Sequence, residues 1–230
     1  MSVFDQSFFE ARVQMGLGEL GLTFTALQLN QLTLFSAEFF KWNAIHNLSA
    51  IHSNEDYLGA HIMDSLAVIP SILKTVDLGL LPKRAQIADL GVGGGFPGMV
   101  LAIFLPDFNY FLVDAVRKKT AFLQHIKGRL QLNNVTVVED RIEHFAKESP
   151  FSMDATISRA FTELKNFIEY SQPLIKEKGV MFAMKSHKIS SELEELPDGY
   201  SVIFNDELII PYLDAYRCIL SIQSMRKSNI

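Results

Sequence analysis

The stretch Ala88-Asp89-Leu90-Gly91-Val92-Gly93-Gly94-Gly95-Phe96-Pro97-Gly98 is where this chain's backbone is best suited to grip a small molecule. Glycine at this density permits positive φ and lets a ligand approach main-chain N–H groups with no Cβ in the way. A tight turn kept small for packing is the competing reading. Two cofactor patterns overlap here. Taken from Gly93, Gly93-x-Gly95-x-x-Gly98 fits the dinucleotide fingerprint of nicotinamide and flavin enzymes. Taken from Asp89, an acidic residue followed by Gly91-x-Gly93-x-Gly95 is the pattern of S-adenosylmethionine enzymes. No Gly-Lys-Ser/Thr follows, which excludes a Walker phosphate loop. Asp114 can accept hydrogen bonds from vicinal ribose hydroxyls under either pattern. It points to a nucleoside and leaves the cofactor open.

Other side chains with chemical potential are scattered. His61 and Asp64 stand three apart, on one helical face. A metal would need a third ligand that no nearby sequence supplies, so no metal is expected and a hydrogen-bonded pair closing the pocket is preferred. Arg159 suits a cofactor contact, an RNA contact or a structural ion pair. Phe161 suits stacking on an extruded base, or the core. Basic residues gather at Lys83-Arg84, Arg117-Lys118-Lys119, Lys127, Arg129 and Arg226-Lys227, each either a solvated face or a phosphate contact. No Gly-x-Ser-x-Gly elbow supports hydrolase chemistry.

The elements that must position these residues fall into two rhythms. The first third reads as helical. Phe4, Phe8, Phe9, Val13, Leu17 and Leu20 share a helix face ending near Gly21, and a second helix follows an N-cap at Thr25 and carries Leu27 to Trp42. Phe39, Phe40 and Trp42 read as core on periodicity. Asn43–Ser53 is turn-like, with Asn43 and Asn47 as caps or pocket contacts, and a third helix runs from about Asn54 to Val76 with an interruption at Pro70. From Gln86, short β-rich runs (Gln86–Leu90, Asn109–Val113, Val135–Glu139, Met153–Ile157, Gly179–Met184) alternate with helices (Gly98–Leu105, Val116–Gln131, Arg141–Lys147, Leu164–Ile175). Such alternation implies a parallel doubly wound sheet, and the glycine loop then sits at the carboxyl end of its first strand, where ligands bind. Ser201–Ile210 and Ala215–Ser221 close the chain as an antiparallel pair.

Bulk properties bound the classes. The chain has 230 residues, 48% hydrophobic and 20% charged, enough for one sizeable core. No apolar run is long enough for a membrane span, and Met1 to Glu10 lacks the basic and apolar regions of a signal peptide. Cys218 is the only cysteine, which fits a reducing compartment. The net charge of −5 argues against a general nucleic-acid coat while leaving local basic patches free to act.

The wider pattern resembles the RsmG (GidB) family of bacterial 16S ribosomal RNA methyltransferases. The matching pieces are Trp42-Asn43, Asn47-Leu48-Ser49-Ala50-Ile51, His61-x-x-Asp64-Ser65-Leu66, the loop from Asp89 to Gly98, Asp114 with Arg117–Lys119, Ile157-Ser158-Arg159-Ala160-Phe161, and Lys185. The resemblance implies an α/β, Rossmann-like seven-stranded class I methyltransferase sheet behind a small helical N-terminal region. Residues 1–64 would form that region and 65–230 the catalytic domain. It implies S-adenosyl-L-methionine as donor, held by Gly91, Gly93, Phe96 and Asp114. Ile142 and Glu143 would lie beside the adenine, and Arg159 would bound the same pocket. The acceptor would be N7 of the guanine numbered 527 in the family's ribosomal reference, in 16S rRNA or a partly assembled small subunit. A cytoplasmic monomer is the expectation. Ala60 and Ser186 depart from the family pattern, where arginine and glycine are common. No catalytic acid or base is named, because guanine N7 carries an available lone pair. Where enzymes acting on exocyclic amines carry an Asp/Asn-Pro-Pro-aromatic tetrad, this chain has Ser158-Arg159-Ala160-Phe161. A nicotinamide-dependent oxidoreductase and an RNA-binding assembly factor without turnover are the rival readings.

Overall fold

The structure is a computed structural model, and it describes residues 3–159, 162–186 and 189–225. Helix α1 (Gln6–Glu19) starts at an Asp5 N-cap, and α2 (Ala26–His46) starts at Thr25. Thr25 and Gln28 form a reciprocal capping box, which satisfies two otherwise orphaned N–H groups. The same Gln28 reaches across to donate to the carbonyls of Ile103 and Phe104. The predicted turn from Asn43 begins later, because α2 continues to His46 and ends on Asn47, a left-handed cap at φ 49.

The third helical region is one run with a change of pitch. It passes from α3 (Asn54–Tyr57) through a π-helical stretch (Leu58–Met63) into α4 (Asp64–Leu66). After a short break, α5 (Ile69–Asp77) begins with Pro70 in its first turn, where a missing N–H costs nothing.

The sheet then assembles from β1 (Gln86–Leu90), β2 (Asn109–Asp114), β3 (Val135–Glu139), β4 (Met153–Arg159), β5 (Ile175–Lys185), β6 (Tyr200–Glu207) and β7 (Cys218–Ser224). The crossover helices are α6 (Gly98–Phe104), α7 (Arg117–Leu130), α8 (Ile142–Glu148) and α9 (Leu164–Ser171), and a short α10 (Ser190–Glu194) precedes β6. Among the described residues the strand order is β3-β2-β1-β4-β5-β7-β6, parallel through β5 and antiparallel at β7 and β6. The expected antiparallel pair is therefore present, with β7 inserted between β5 and the edge. Strand β5 begins at Ile175, ahead of the predicted Gly179, because its pairing with β4 shifts register between Met153 and Ala155. Chain order reverses direction between β1 and β4. In such sheets the crevice at that reversal, outside the carboxyl ends, is the place for a ligand.

One hydrophobic cluster holds Phe9, Val13 and Leu17 of α1, Phe35 and Phe39 of α2, and Ile87, Leu112 and Phe182 of the sheet. Every residue of α6 is buried, as its unbroken apolar sequence requires.

Candidate functional site

The glycine loop is fastened from beneath. Asp89, fully buried on β1, accepts a hydrogen bond from the Gly98 N–H at 2.7 Å and so holds the start of α6. A Cβ on Gly98 would collide with that carboxylate and with Leu112, which explains glycine there. The loop turns through positive φ at Gly91 (74°), Gly93 (60°) and Gly95 (105°). A Cβ on Gly93 would meet nothing nearer than 3.9 Å, so this part of the backbone faces open space.

That space is two cavities meeting at Gly91. The smaller, about 360 Å³, is lined by Asp114, Val116, Lys119, Ile142, Glu143 and Tyr170 among others. The larger, about 710 Å³, is lined by Gly91, Gly93, Phe96, Ser49, His61, Asp64, Arg159, Lys185 and Arg217 among others. All of the sequence-predicted site residues thus reach this double cavity, and they divide between its halves. Arg159, the last residue of β4, lines the larger half and not the one holding Ile142 and Glu143. The reason is topological: β4 lies on one side of β1, whereas β2 and β3 lie on the other.

Asp114 ends β2 with its carboxylate 7% exposed. Its oxygens accept from the N–H groups of Gly93 (3.0 Å) and Val116 (2.8 Å), with Lys119 at 3.6 Å. These contacts fix the carboxylate's direction and leave lone pairs for vicinal hydroxyls.

The larger cavity has a wall of linked polar groups. Arg159 donates to the Ala60 carbonyl (2.7 Å), to Asp64 (3.1 Å) and to His61 Nδ1 (3.0 Å). Asp64 gives its second oxygen to Arg217 Nε at 3.0 Å. His61 stacks on Phe96 with centroids 4.4 Å apart and planes within 10°, and its Nε2 meets Ser49 Oγ at 2.9 Å. Burial, with the neighbouring Arg159 charge, pushes the His61 imidazole down to about 3, so it is neutral. His61 and Asp64 both face this cavity, but they are not the directly hydrogen-bonded pair expected: Arg159 bridges them, and their remaining polar atoms go to Arg217 and Ser49. Ala60, where the family pattern has arginine, serves through its carbonyl. Lys185 is turned to Glu192 (2.7 Å) and the Thr162 carbonyl.

Asn47 is the C-cap of α2, whereas Asn43 lies inside that helix and bonds the loop that follows it. Asn43 is buried, accepts from the Ser49 N–H (2.8 Å) and donates to the Ile51 carbonyl (3.0 Å), which shapes the loop that presents Ser49. Phe39 is core, packed on Phe35, Phe96 and Tyr57. In the cluster Arg117–Lys119, Lys118 donates to the His46 carbonyl and Lys119 pairs with Asp114, leaving Arg117 exposed. Lys83-Arg84 precede β1 and lie at the opposite end of the sheet. Phe161 and Arg226-Lys227 fall outside the described residues. Arg217 was not foreseen, since a single cation opening a β-rich run looks like any strand end; Ser49 stood in a motif with no role attached.

A family model for GidB, rRNA small subunit methyltransferase G, matches residues 28–218. Ribosomal RNA small subunit methyltransferase G of Polynucleobacter asymbioticus is 39% identical over 95% of this chain and 97% of its own. The protein of the same name from Methylobacillus flagellatus is 36% identical over 90% and 95%. The chain belongs to this family. It is accordingly an S-adenosylmethionine-dependent methyltransferase, which removes the oxidoreductase reading of the glycines. Solved structures agree on the fold: a SAM-dependent methyltransferase from Aquifex aeolicus superposes with a TM-score of 0.51 at 14% identity, covering 73% of this chain and 92% of that one. TYW2 of P. horikoshii, in complex with MeSAdo, gives 0.53 at 10% identity over 76% and 65%.

Proposed function

We propose that this chain methylates N7 of a guanine in 16S ribosomal RNA, the guanine its family's ribosomal reference numbers 527. The observation that carries the reading is the loop at Gly91, which joins a nucleoside-sized cavity on Asp114 to a larger one walled by arginines. The donor fits the first: Asp114 takes the ribose hydroxyls, Ile142 and Glu143 flank the adenine, and Gly91 and Gly93 pass the rest of the molecule toward Phe96 and Arg159. S-adenosyl-L-methionine supplies an already activated methyl on its sulfonium. The protein's work is to orient. Phe96, backed by His61 and the Phe39 cluster, forms a stiff floor, and Arg159 and Arg217 line a wall that attracts an anionic chain. Guanine N7 attacks with its own lone pair, so no side chain has to remove a proton first, and bringing nitrogen, carbon and sulfur into line is the main source of acceleration.

The protein has a net charge of −5, which favours a structured acceptor over bare RNA at large, and the acceptor proposed is a partly assembled small subunit. A monomer in the cytoplasm, working without metal, completes the proposal; among the described residues no helix is long and apolar enough to cross a membrane. Mass spectrometry of 16S RNA from cells with and without the gene is the test. Loss of one 7-methylguanosine is expected, and an unchanged nucleoside profile would refute the assignment. For the cofactor, Asp114→Ala should weaken S-adenosylmethionine binding by roughly 10–100-fold in calorimetry, the loss of a charged hydrogen-bonding group. Unaltered affinity would move the ribose elsewhere.

A further inference from the structure

The direction of the hydrogen bonds around His61 bears on which purine the larger cavity accepts. A guanidinium only donates, so His61 Nδ1, 3.0 Å from Arg159 Nη2, must accept. The ring is neutral, and its single proton therefore sits on Nε2, facing Ser49 Oγ. That oxygen also accepts from the Ile51 N–H at 3.2 Å. Both lone pairs of the hydroxyl are occupied, and its own proton is left over with no protein acceptor among the described residues. Ser49 lines the larger cavity beside Gly91 and Gly93. Asp64, the carboxylate in that wall, has one oxygen on Arg159 and the other on Arg217. The charged groups remaining there, Arg159, Arg217 and Lys185, carry donors only.

We propose that Ser49 is a specificity-determining residue: its hydroxyl donates to O6 of the acceptor guanine, so that the cavity takes 6-oxopurines and refuses adenine. N7 and O6 sit side by side on the major-groove edge of guanine, whereas adenine places an amino donor next to N7. A donor at O6 holds the ring while N7 stays free to attack. The chain Asp64–Arg159–His61–Ser49 sets the polarity: the carboxylate orients the arginine, the arginine fixes the tautomer, and the tautomer turns the serine proton into the cavity. The proposal rests on the guanine-N7 reading above.

Small subunits reconstituted with guanosine, inosine or 2-aminopurine at the acceptor position provide the test, because inosine keeps O6 and 2-aminopurine lacks it. The wild-type protein should methylate guanine and inosine with similar kcat/KM and 2-aminopurine roughly tenfold less well, the value of one hydrogen bond. Ser49→Ala should lose about tenfold on guanine and inosine and little on 2-aminopurine, while Ser49→Thr should recover the discrimination. Equal proportional losses on all three bases, with normal S-adenosylmethionine binding, would make Ser49 merely structural and overturn the proposal, as would undiminished guanine activity. Should the alanine variant fail to bind the donor, Ser49→Cys, a weaker hydrogen-bond donor, is read by the same ratios. Failure of the wild-type protein to form 7-methylguanosine on any substrate would instead remove the guanine-N7 reading, and this proposal with it.

Discussion

Asp89 is fully buried and half satisfied: Oδ2 takes the Gly98 N–H, and Oδ1 has no partner among the described residues. Burial pushes its carboxyl from the ordinary 3.8 up to about 7. An acid whose folded pKa lies above the unfolded one holds its proton longer in the fold, so its contribution falls as pH rises between those values and is then constant. His61 works the other way. Its folded value of about 3 lies below the ordinary 6.5, so the unfolded chain takes up the proton first, and stability is lost as pH falls from 6.5 toward 3. The two slopes oppose each other across pH 4 to 6.5. Asp89→Asn keeps an acceptor for Gly98 and removes one slope. Urea unfolding of that variant should show stability rising with pH from 4 to 6.5, and a midpoint at pH 8 no lower than wild type. A clear drop at pH 8 would mean that the charge itself is needed.

Among the elements, α6 meets the sheet tightly at its first residue, Gly98. Gly98→Ala would drive a methyl into Asp89 and Leu112, and thermal or urea unfolding should register a loss of about 1–3 kcal/mol, the usual cost of overpacking. Thr25→Ala removes half of the capping box on α2 and should cost about 1 kcal/mol in the same measurement. Strands β1 and β3 were legible to the residue, because runs such as Gln86–Leu90 are short, apolar and punctuated by turn formers. The π-helical stretch was not. Its wider pitch has no periodic signature over so few residues. The glycine within it answers to a long-range contact, since a Cβ on Gly59 would come within 2.8 Å of the Tyr212 carbonyl, far along the chain.

Over the whole molecule, the N-terminal helices and the sheet share one apolar cluster, and Asp64, Arg159 and Arg217 stitch the helical region to β4 and to the start of β7. A single cooperative transition is expected, and S-adenosylmethionine at a hundredfold its Kd should stabilise by about 2.7 kcal/mol. Two separate transitions in calorimetry would mean that the helical region folds by itself. Asp64→Ala strands two partly buried cations and should cost about 3 kcal/mol, more than Arg217→Ala, which leaves Asp64 with Arg159.

The sequence by itself determined the α/β alternation, the glycine loop and its carboxylate at Asp114, because these depend on local periodicity and on backbone freedom that only glycine has. Helical spacing and the family pattern brought out His61, Asp64 and Arg159, and paired His61 with Asp64 without the arginine that bridges them. Tertiary structure alone decided that Arg217 joins them, that Arg159 faces the larger half of the cavity, and that Ser49 keeps a proton to donate. Each of those facts depends on which strand ends lie side by side and on which lone pairs are already taken. Spacing along a chain carries neither, since both are settled only when distant segments meet.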